Sequence, residues 1–496
     1  MTWRTRGGLL LAALVTRLPG MVRTPLSDDE AIYAVVSRAL LAGGTLYRDA
    51  VDHKPPALFL LYGGAEWLAG SLGLLLLHVA TALVVWATAI GVGAVVRVIR
   101  PDGPTDAPAW AALAYVAFTT TMMPFDGLAA NAELWMGLPT AWAVWLVLRH
   151  GETWRPVFVS GLLAGCAALF KYQGIAVLPV LALALVRPGM RGRAVLLRWM
   201  ALGAGAALPG IAWWAEASAF GDAGESAFWL LFNFRYTAAG VSSPDLLVRT
   251  VLRVGFVVAP AAALYVWGVR GAWHGIRHRD RQVLLILIWT VLAAGAVAMG
   301  GRWFGHYFHQ LTAPLAVLLG VALAAGHPRR WLAITTAIPV AGFWLVAWFT
   351  PQVMQAIGDP VPDYAPIVAA LDARAPRTAT VCVWGNAPLL VDQLGRPLGC
   401  RFVSTHFLTG ASPATPAQRD PRLADANIIP GMWDRFVADL DRRRPDFIVD
   451  LSPGDVAHWG PFPPHRYPAL DSRLSRAYVP VASVAGAVIH QRRQDP

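Results

Sequence analysis

Only two residues of the chain, Lys54 and Lys171, are lysines, although lysine and arginine together number 41. Lysines in an otherwise arginine-only chain are there either by chance or because the ammonium itself is needed. A lysine ammonium is a compact point charge that suits one phosphate oxygen, whereas arginine presents a planar fork. Lys54 stands in "VDHKPPALF" beside Asp52 and His53, and two prolines after it would fix the direction of the backbone. We interpret Lys54 as a candidate phosphate ligand.

Three consecutive acids, Asp28, Asp29 and Glu30, open the segment "SDDEAIYAVVSRALLAGG". Ser27 or Asp28 can cap a helix there, and acids in its first turn stabilise the helix dipole by roughly 0.3–1 kcal/mol each. Capping needs one acid, however, and three adjacent carboxylates repel one another. A carboxylate near a departing phosphate can also act as a general base toward an acceptor hydroxyl. Both interpretations are open at this stage.

A third cluster, "GGRWFGHYFHQL", contains Arg302, His306 and Tyr307. Arg302 and His306 are four residues apart, which is one turn of a helix and would let both face one anion. The surrounding aromatic residues also fit an interfacial belt with a snorkelling arginine. The belt explains the aromatic side chains and leaves His306 and His309 unexplained. We therefore treat the cluster as a candidate anion site.

Two further segments, "FDGLAANAELW" and "LFKYQG", add Asp126, Glu133 and Lys171. Glu133 lies near the start of an apolar segment, where an ionisable group is costly unless it is partnered or functional. A structural ion pair between Glu133 and Lys171 and a role in a site are both open.

The composition predicts a membrane protein. Of 496 residues, 56% are hydrophobic and only 14% are charged. Apolar segments long enough to cross roughly 30 Å of hydrocarbon recur up to residue 350. The first segment lacks a convincing signal-peptide cleavage site, so we predict a retained helix. We predict about eleven transmembrane helices, near residues 7–22, 72–96, 108–123, 132–148, 156–170, 173–186, 194–215, 247–269, 283–299, 310–326 and 331–350.

The charge distribution predicts an orientation and argues against nucleic acid as a partner. The net charge is +11, but the arginines cluster in alternate loops and the acids lie in the opposite loops, which is the positive-inside pattern. We therefore predict a multi-pass protein of the cell membrane with a cytoplasmic N-terminus. The long loops 23–71 and 216–246, the candidate site residues and the tail would then be extracytoplasmic.

The tail after residue 350 has a different composition and predicts a small α/β domain. "TATVCVWG", "CRFVSTHF" and "PDFIVDLSP" have the pattern of strands, and "NAPLLVDQLG" and "GMWDRFVADLDRRR" that of helices between them. We predict two domains, a transmembrane domain over 1–350 and an α/β domain over 351–496. Cys382 and Cys400 share the tail, where a disulfide is permitted but not required by the sequence.

Taken together, four segments resemble the bacterial members of glycosyltransferase family 39, relatives of protein O-mannosyltransferases and of the lipid A aminoarabinose transferase. The resemblance covers residues 24–326, and the tail resembles the family's external domain more loosely. The segments are "DDEAIY…GGTLYRDAVDHKPPALFLLY", "NAELWMGLP", "LFKYQG" and "GRWFGHYFHQLTAPLAVLLG". The resemblance implies the GT-C fold and an inverting transferase that takes a sugar from a polyprenyl-phosphate donor. Its partners would be that donor, the lipid bilayer and an acceptor lipid, glycan or protein.

The resemblance also implies roles for individual residues. Family members place the catalytic aspartate in an Asp-Glu pair, which matches Asp29–Glu30 here. Some relatives have a metal-associated glutamate before the Lys-Pro-Pro lysine; this chain has His53, which can also ligate a metal. No cluster of ligands with metal spacing appears, so no cofactor is assigned, and a divalent metal at His53 stays open. The predicted donor-phosphate ligands are Lys54, Arg302, His306 and Tyr307. The other candidate site residues are Asp28, Tyr33, Asp52, His53, Glu133 and Lys171.

Two other classes of function stay open from the sequence. A transporter or flippase would place its ionisable residues near mid-membrane, between two similar halves. A non-catalytic membrane sensor subunit would bind a ligand through its tail and would not need the combination of Asp29, Lys54 and Arg302.

Overall fold

The computed structural model describes residues 1–25, 27–121, 126–326, 329–356 and 362–493. Helices dominate up to residue 356, and a small sheet with short helices follows. The helices of the first part are α1 Trp3–Val22, α2 Asp28–Leu41, α3 Ala57–Ala69, α4 Gly73–Ile99, α5 Ala107–Phe118, α6 Ala132–His150, α7 Trp154–Phe170, α8 Leu178–Leu185, α9 Gly192–Ala219, α10 Ala223–Val241, α11 Leu246–Val258, α12 Ala262–Arg277, α13 Arg281–Ala298, α14 His309–Ala324, α15 Arg329–Trp348 and α16 Thr350–Ala356.

Five helical stretches among the described residues are long and apolar enough to cross a membrane, and a bent pair would make six. The predicted number of about eleven spans therefore stays a prediction. The five stretches are Ala57–Ile99, Gly192–Ala219, Arg281–Ala298, Gly305–Ala324 and Arg330–Trp348.

Two predicted spans differ from the structure. The segment 247–269 is not one straight helix, because α11 and α12 meet at an angle of 89°. The predicted span 108–123 is shorter, since α5 ends at Phe118, and its last two residues lie outside the described ranges. The predicted external loop 216–246 is largely helical, because α10 occupies most of it.

The first long loop contains the two predicted amphipathic helices, α2 and α3. Ser27 caps α2, its side-chain oxygen accepting a hydrogen bond from the Glu30 N–H at 3.4 Å. The buried face of α2 packs on α3, and the Ser37 hydroxyl donates to the Phe59 carbonyl at 2.8 Å across the contact. Lys54 lies in the short segment between the two helices, immediately before Pro55 and Pro56.

The tail forms a four-stranded sheet in the order β1–β2–β4–β3. The strands predicted in "TATVCVWG" and "PDFIVDLSP" pair in parallel, which confirms an α/β unit. A hairpin that the sequence analysis did not predict completes the sheet. The strands are β1 Val381–Trp384, β2 Phe447–Asp450, β3 Tyr478–Val484 and β4 Ala487–Arg492. The helices of the tail are α17 Ala365–Asp372, α18 Pro388–Leu394, α19 His406–Thr409, α20 Pro421–Asp425, α21 Met432–Arg443 and α22 Pro468–Ala477.

The predicted strand "CRFVSTHF" was wrong. Residues 400–405 form an extended connection with one isolated bridge, between Phe402 and Val51, and α19 begins at His406. Cys400 forms a disulfide with Cys382 of β1, which settles the pairing that the sequence left open. The connection is thus tied to the sheet on one side and to the first long loop on the other.

Arg401 joins the tail to the first long loop. Its side chain forms a two-pronged ion pair with the buried Asp439 of α21, at 2.8 and 3.0 Å. Its carbonyl accepts a hydrogen bond from the Val51 N–H at 3.0 Å, and its guanidinium donates to the Tyr47 carbonyl at 3.4 Å. Both partners lie within a few residues of Lys54, so this contact fixes the segment that carries the lysine.

We predict that Asp439→Asn lowers the free energy of unfolding by up to about 3–5 kcal/mol, because it removes the two-pronged partner of the buried Arg401 guanidinium and leaves it with the more distant Glu225 carboxylate, at 3.6 Å. Thermal unfolding of the purified protein in detergent measures the change. Asp441→Asn on the same helix is the matched control, since the Asp441–Arg473 pair is largely exposed and should contribute little. Equal melting temperatures for Asp439→Asn and Asp441→Asn would contradict the prediction.

Candidate active site

A cleft of about 420 Å³ lies where the first long loop, the ends of several apolar helices and the tail meet. The loop contributes the start of α2 and the Lys54 segment, and the tail contributes Asn386, His406 and Pro413. The structure brings nine of the twelve predicted site residues into its walls: Asp28, Asp29, Asp52, His53, Lys54, Lys171, Arg302, His306 and Tyr307.

The three consecutive acids point in three directions. The Asp29 carboxylate faces the cleft, and Asp28 turns toward the Leu389 amide of the tail. Glu30 is fully buried, with its carboxylate accepting a hydrogen bond from the Ala130 N–H at 2.6 Å. The structure therefore does not place Glu30 with Asp29 in the cleft, as the predicted catalytic pair required. Successive helical residues are about 100° apart, so adjacent side chains cannot share one target.

Lys54 lies between two carboxylates. Its ammonium is 3.3 Å from Asp29 Oδ1 and 3.2 Å from Asp52 Oδ2. It also lies 4.7 Å from the centre of the Tyr33 ring, which is buried beneath it and does not reach the cleft. Burial lowers the pKa of Lys54, but Asp29 and Asp52 outweigh burial, so that its pKa lies above the usual value. The lysine is therefore a fixed positive charge at the edge of α2.

His53 does not form a metal site. Its Nδ1 lies 2.8 Å from Asp52 Oδ1, and its ring stands 4.5 Å from that of Tyr236. Among the described residues, no group of three or more histidine, cysteine, aspartate or glutamate side chains could hold a metal ion. The residues present do not fit a divalent metal at His53, and we route no chemistry through one.

His306 faces carboxylates rather than a free anion site. Its ring Nδ1 pairs with Asp126 Oδ1 at 2.5 Å, and its backbone N–H donates to Asp126 Oδ2 at 3.0 Å. Because Asp126 takes the Nδ1 side, the other ring nitrogen points toward Asp29 Oδ2, 3.8 Å away. Glu133 Oε1 is also 3.8 Å from that nitrogen. Three carboxylates around the ring make it a partner of Asp29, and a poor direct ligand for phosphate.

Lys171 and Glu133 form the ion pair that the sequence left open. Glu133 is buried outside the cleft walls, at the first turn of α6. The Lys171 ammonium stands 3.7 Å from the centre of the Tyr307 ring, which lines the cleft. The pair thus contacts two residues of the cleft wall, Tyr307 through Lys171 and His306 through Glu133.

Arg302 is bound by the protein on several sides. Its guanidinium donates to the Tyr236 carbonyl at 3.2 Å, to the Ser412 hydroxyl at 2.7 Å and to the Pro413 carbonyl, and lies over the Tyr236 ring at 3.9 Å. Residues 302–304 are not helical, and the helix predicted to align Arg302 with His306 is absent there. The prediction that both face one anion from one helical turn was therefore wrong.

The turn that precedes Arg302 packs closely against the backbone of α10, and this contact positions the Arg302 side chain. The carbonyl of Gly300 touches α10 at Gly240, where a Cβ atom would come within 1.9 Å of the oxygen. Gly300 itself has a φ of +86°, a left-handed conformation that favours glycine. A larger residue at Gly240 would push the turn away from α10 and with it the Arg302 side chain away from Tyr236. At Gly300 a side chain would have room, and the cost would come from the left-handed backbone.

Sequence reasoning missed Arg253, which lines the cleft from α11. Its guanidinium donates to the Arg302 carbonyl at 2.9 Å and lies 5.7 Å from the Phe304 ring centre. One signal was available, since an arginine inside the predicted span 247–269 is costly unless it serves a purpose. Asn386 and His406 were missed as well, and no local pattern in the tail marks them.

The acids of α2 differ in their protonation. Desolvation raises the pKa of Asp29, but Lys54 and His306 outweigh it, so that its pKa lies below the usual value. Part of the Asp28 side chain remains exposed, yet surrounding protein desolvates the carboxyl. That desolvation and the neighbouring Asp29 raise the pKa of Asp28 to about 7. Near neutral pH, Asp29 is therefore the fully ionised member of the two α2 acids that line the cleft.

We predict that Glu30→Ala destabilises the protein more than Asp29→Ala. Removing Glu30 leaves the buried Ala130 N–H without its acceptor, at a cost of roughly 1–3 kcal/mol. Removing Asp29, whose side chain is 28% exposed, leaves Lys54 paired with Asp52. Thermal unfolding of both variants in the same detergent tests this, and a lower melting temperature for Asp29→Ala than for Glu30→Ala would contradict it.

The fold matches solved membrane-protein structures along nearly its whole length. ArnT from Cupriavidus metallidurans, crystallised with undecaprenyl phosphate, matches with a TM-score of 0.61 and 17% identity, over 97% of this chain and 96% of that chain. The arabinofuranosyltransferase AftD from Mycobacteria matches with a TM-score of 0.54 and 15% identity, over 99% of this chain and 40% of that chain. No family model and no curated protein matches the sequence. These likenesses and the apolar helices confirm a multi-pass membrane protein with the predicted GT-C fold and a small α/β unit in its tail.

Proposed function

We propose that the chain is an inverting glycosyltransferase that moves a sugar from a polyprenyl-phosphate donor to a hydroxyl of an extracytoplasmic lipid, glycan or protein. The observation that carries the proposal is the ionised Asp29 carboxylate, held in the cleft between the Lys54 ammonium at 3.3 Å and His306 Nε2 at 3.8 Å. A base beside fixed cations suits a reaction in which a hydroxyl loses a proton while a phosphate leaves. The undecaprenyl phosphate bound to ArnT supports the same class of donor here.

Asp29 acts as the general base in this proposal. The acceptor oxygen forms a bond to the anomeric carbon while the bond between that carbon and the phosphate oxygen breaks. The proton of the acceptor hydroxyl passes to Asp29, and the electron pair of the broken bond leaves with the phosphate. Attack from the face opposite the phosphate inverts the anomeric carbon. General base catalysis of this kind contributes typically 10²–10⁴-fold.

The departing phosphate needs positive charge in fixed places. Lys54 supplies an ammonium beside Asp29, and Arg253 supplies a guanidinium to the cleft wall from α11. Arg302 adds its charge from behind Tyr236, although its hydrogen bonds go mainly to protein carbonyls. Cations that stand ready before the charge develops stabilise the transition state without reorganisation. No phosphate-binding glycine loop is needed, because the lipid phosphate enters already linked to the sugar.

His306 orients Asp29 and stabilises its negative charge. Asp126 fixes the ring through Nδ1 and through the backbone N–H, so Nε2 is directed at Asp29. With Asp126 at Nδ1 and Asp29 near Nε2, the ring has a carboxylate on each side, which favours the doubly protonated imidazolium. Its positive charge stabilises the Asp29 carboxylate before reaction.

The location of the charges favours an enzyme over a transporter or a sensor. The cleft residues come from helix ends and connections: Asp29 from the start of α2, Lys171 from the residue after α7, and Arg302 from the turn after α13. A transporter site would lie between broken helices near mid-membrane. A sensor subunit would bind through its tail alone and would not place Asp29 opposite Lys54.

We predict that Asp29→Asn abolishes transfer of a radiolabelled sugar from a polyprenyl-phosphate donor, because the amide keeps the size of the side chain but cannot take a proton. The expected loss in initial rate is roughly 10²–10⁴-fold. Asp28→Asn is the matched control and should stay within a few-fold of the unmodified protein, since the Asp28 carboxyl, although it lies in the cleft wall, bonds to the Leu389 amide of the tail. If Asp29→Asn transfers sugar and Asp28→Asn does not, the general base is Asp28 and the assignment to Asp29 is wrong.

We also propose that the N-terminus is cytoplasmic, and that the cleft and a domain over 351–496 lie outside, as the alternation of basic and acidic loops supports. In a Cys166→Ala background, single cysteines at Ser242 and Arg422 should react with a membrane-impermeant maleimide on intact cells, and one at Arg277 should not. All three residues are exposed. Permeabilised cells provide the control, in which Arg277→Cys should become reactive. Labelling of Arg277→Cys on intact cells would reverse the orientation.

A further inference from the structure

The tail supplies a histidine, His406, to the wall between two cavities. One is the cleft that contains Asp29 and Lys54, and the other is an adjoining cavity of about 310 Å³ between α10 and the tail. Arg302, Tyr236, Pro413 and His406 line both cavities. A group at this junction touches whatever passes from one cavity to the other, and the mechanism above gives His406 no task.

A hydrogen-bond chain fixes the tautomer of His406. The Ser404 hydroxyl donates its one hydrogen to Asn386 Oδ1 at 2.5 Å. Ser404 Oγ also lies 2.7 Å from His406 Nδ1, and with its hydrogen already used it can only accept there. Nδ1 therefore carries the imidazole proton, and Nε2 carries a lone pair.

The lone pair of Nε2 has no partner in the described part of the chain. The side chain is partly exposed, and its ring lies against Phe407 with 4.0 Å between ring centres. Burial lowers the pKa of His406 to about 3, helped by the nearby His53, Arg302 and Lys54. The imidazole is thus neutral although cations lie near it, and its Nε2 can accept a hydrogen bond that no described residue donates.

The surroundings exclude several ligands for Nε2. A phosphate or carboxylate offers only lone pairs at neutral pH, so it would be repelled by the lone pair of Nε2. A cation such as an ammonium would meet two cations, Lys54 and Arg302, against the one carboxylate of Asp52. A neutral hydroxyl satisfies both conditions, and sugars present hydroxyls on every side. Aromatic walls such as Tyr236 and Phe232 in the adjoining cavity also suit the apolar face of a sugar ring.

We propose that His406 Nε2 accepts a hydrogen bond from a sugar hydroxyl at the junction of the two cavities, and that Ser404 and Asn386 keep it in the accepting tautomer. The inference rests on the proposed function and names a contact of the tail with its sugar substrate. The sugar belongs either to the lipid-linked donor or to a glycan acceptor, and the experiment separates the two.

The test compares His406→Leu, His406→Gln and Ser404→Ala in nanodiscs. Glutamine places an oxygen acceptor near the former Nε2, whereas leucine has none. We expect His406→Leu to lose roughly tenfold in kcat/KM, which is about the strength of one hydrogen bond. Ser404→Ala should lose less, and His406→Gln should recover most of the loss. His465→Leu, an exposed histidine of the same tail, is the control and should match the unmodified protein.

Two binding probes identify which sugar is held. They are undecaprenyl phosphate alone and undecaprenyl-phosphate mannose. A donor-sugar contact predicts that His406→Leu weakens binding of the mannosyl lipid but not of the bare lipid phosphate. An acceptor contact predicts that both lipids bind unchanged, while KM for a glycan acceptor rises.

Each remaining outcome decides the matter. If the unmodified protein transfers sugar and His406→Leu matches it in both KM values and in kcat, the inference is overturned and the proposed function stands. A loss that His406→Gln shares in full, with an unchanged melting temperature, also overturns it, because an acceptor oxygen then has no effect. If the unmodified protein neither binds the mannosyl lipid nor transfers sugar, the proposed function fails and the inference fails with it.

Discussion

The geometry of the cleft depends on one contact, between Arg401 of the tail and the segment that carries Lys54. Arg401 is locked to the buried Asp439, and from that anchor its backbone carbonyl and its guanidinium reach Val51 and Tyr47. The disulfide between Cys400 and Cys382 ties the neighbouring residue to β1. A rigid sheet outside the helical bundle therefore determines where Lys54 lies relative to Asp29. The same connection continues to Ser404 and His406, so one segment aligns both walls of the cleft.

Three cations of the cleft already have a carboxylate partner, whereas Arg253 and Arg302 donate to carbonyl and hydroxyl oxygens. Lys54 pairs with Asp29 and Asp52, Lys171 with Glu133, and His306 with Asp126. Charges in surroundings of low dielectric constant are costly unless paired, and these pairs make a polar pocket sustainable beside apolar helices. The arrangement also leaves Asp29 with two positive neighbours, which keep it ionised. An incoming lipid phosphate would compete for Lys54 with a carboxylate that is about to be protonated, and the exchange would leave the total charge of the pocket nearly unchanged.

Much of the cleft could be predicted from sequence, because its residues have unusual types in unusual places. Lys54, Lys171 and the acids before α2 stand out against an apolar, arginine-rich chain, and the structure gathers them. The failures have physical causes. Residues 400–405 alternate like a strand, but the disulfide and Arg401 hold them in a connection. The hairpin β3–β4 was missed because Pro480 and several small residues weaken its pattern. The 89° bend between α11 and α12 falls at Pro260, a helix breaker that the predicted span 247–269 passed over because the residues around it are apolar.

The acids of α2 show why the local sequence could not tell a residue of the proposed reaction from a residue that stabilises the fold. Three carboxylates at a helix start are explained equally well by capping and by chemistry, and in the structure both explanations hold for different members. A rotation of about 100° per residue sends Asp28 to the tail, Asp29 to the cleft and Glu30 into the buried interior. Each then meets a different dielectric environment and a different partner, so the same functional group becomes a partly protonated contact, an ionised base and a structural acceptor. The proposed reaction uses Asp29 alone, and the other two hold its helix against the tail and against the bundle. The base stays in register with Lys54 because its neighbours in the sequence are bound elsewhere.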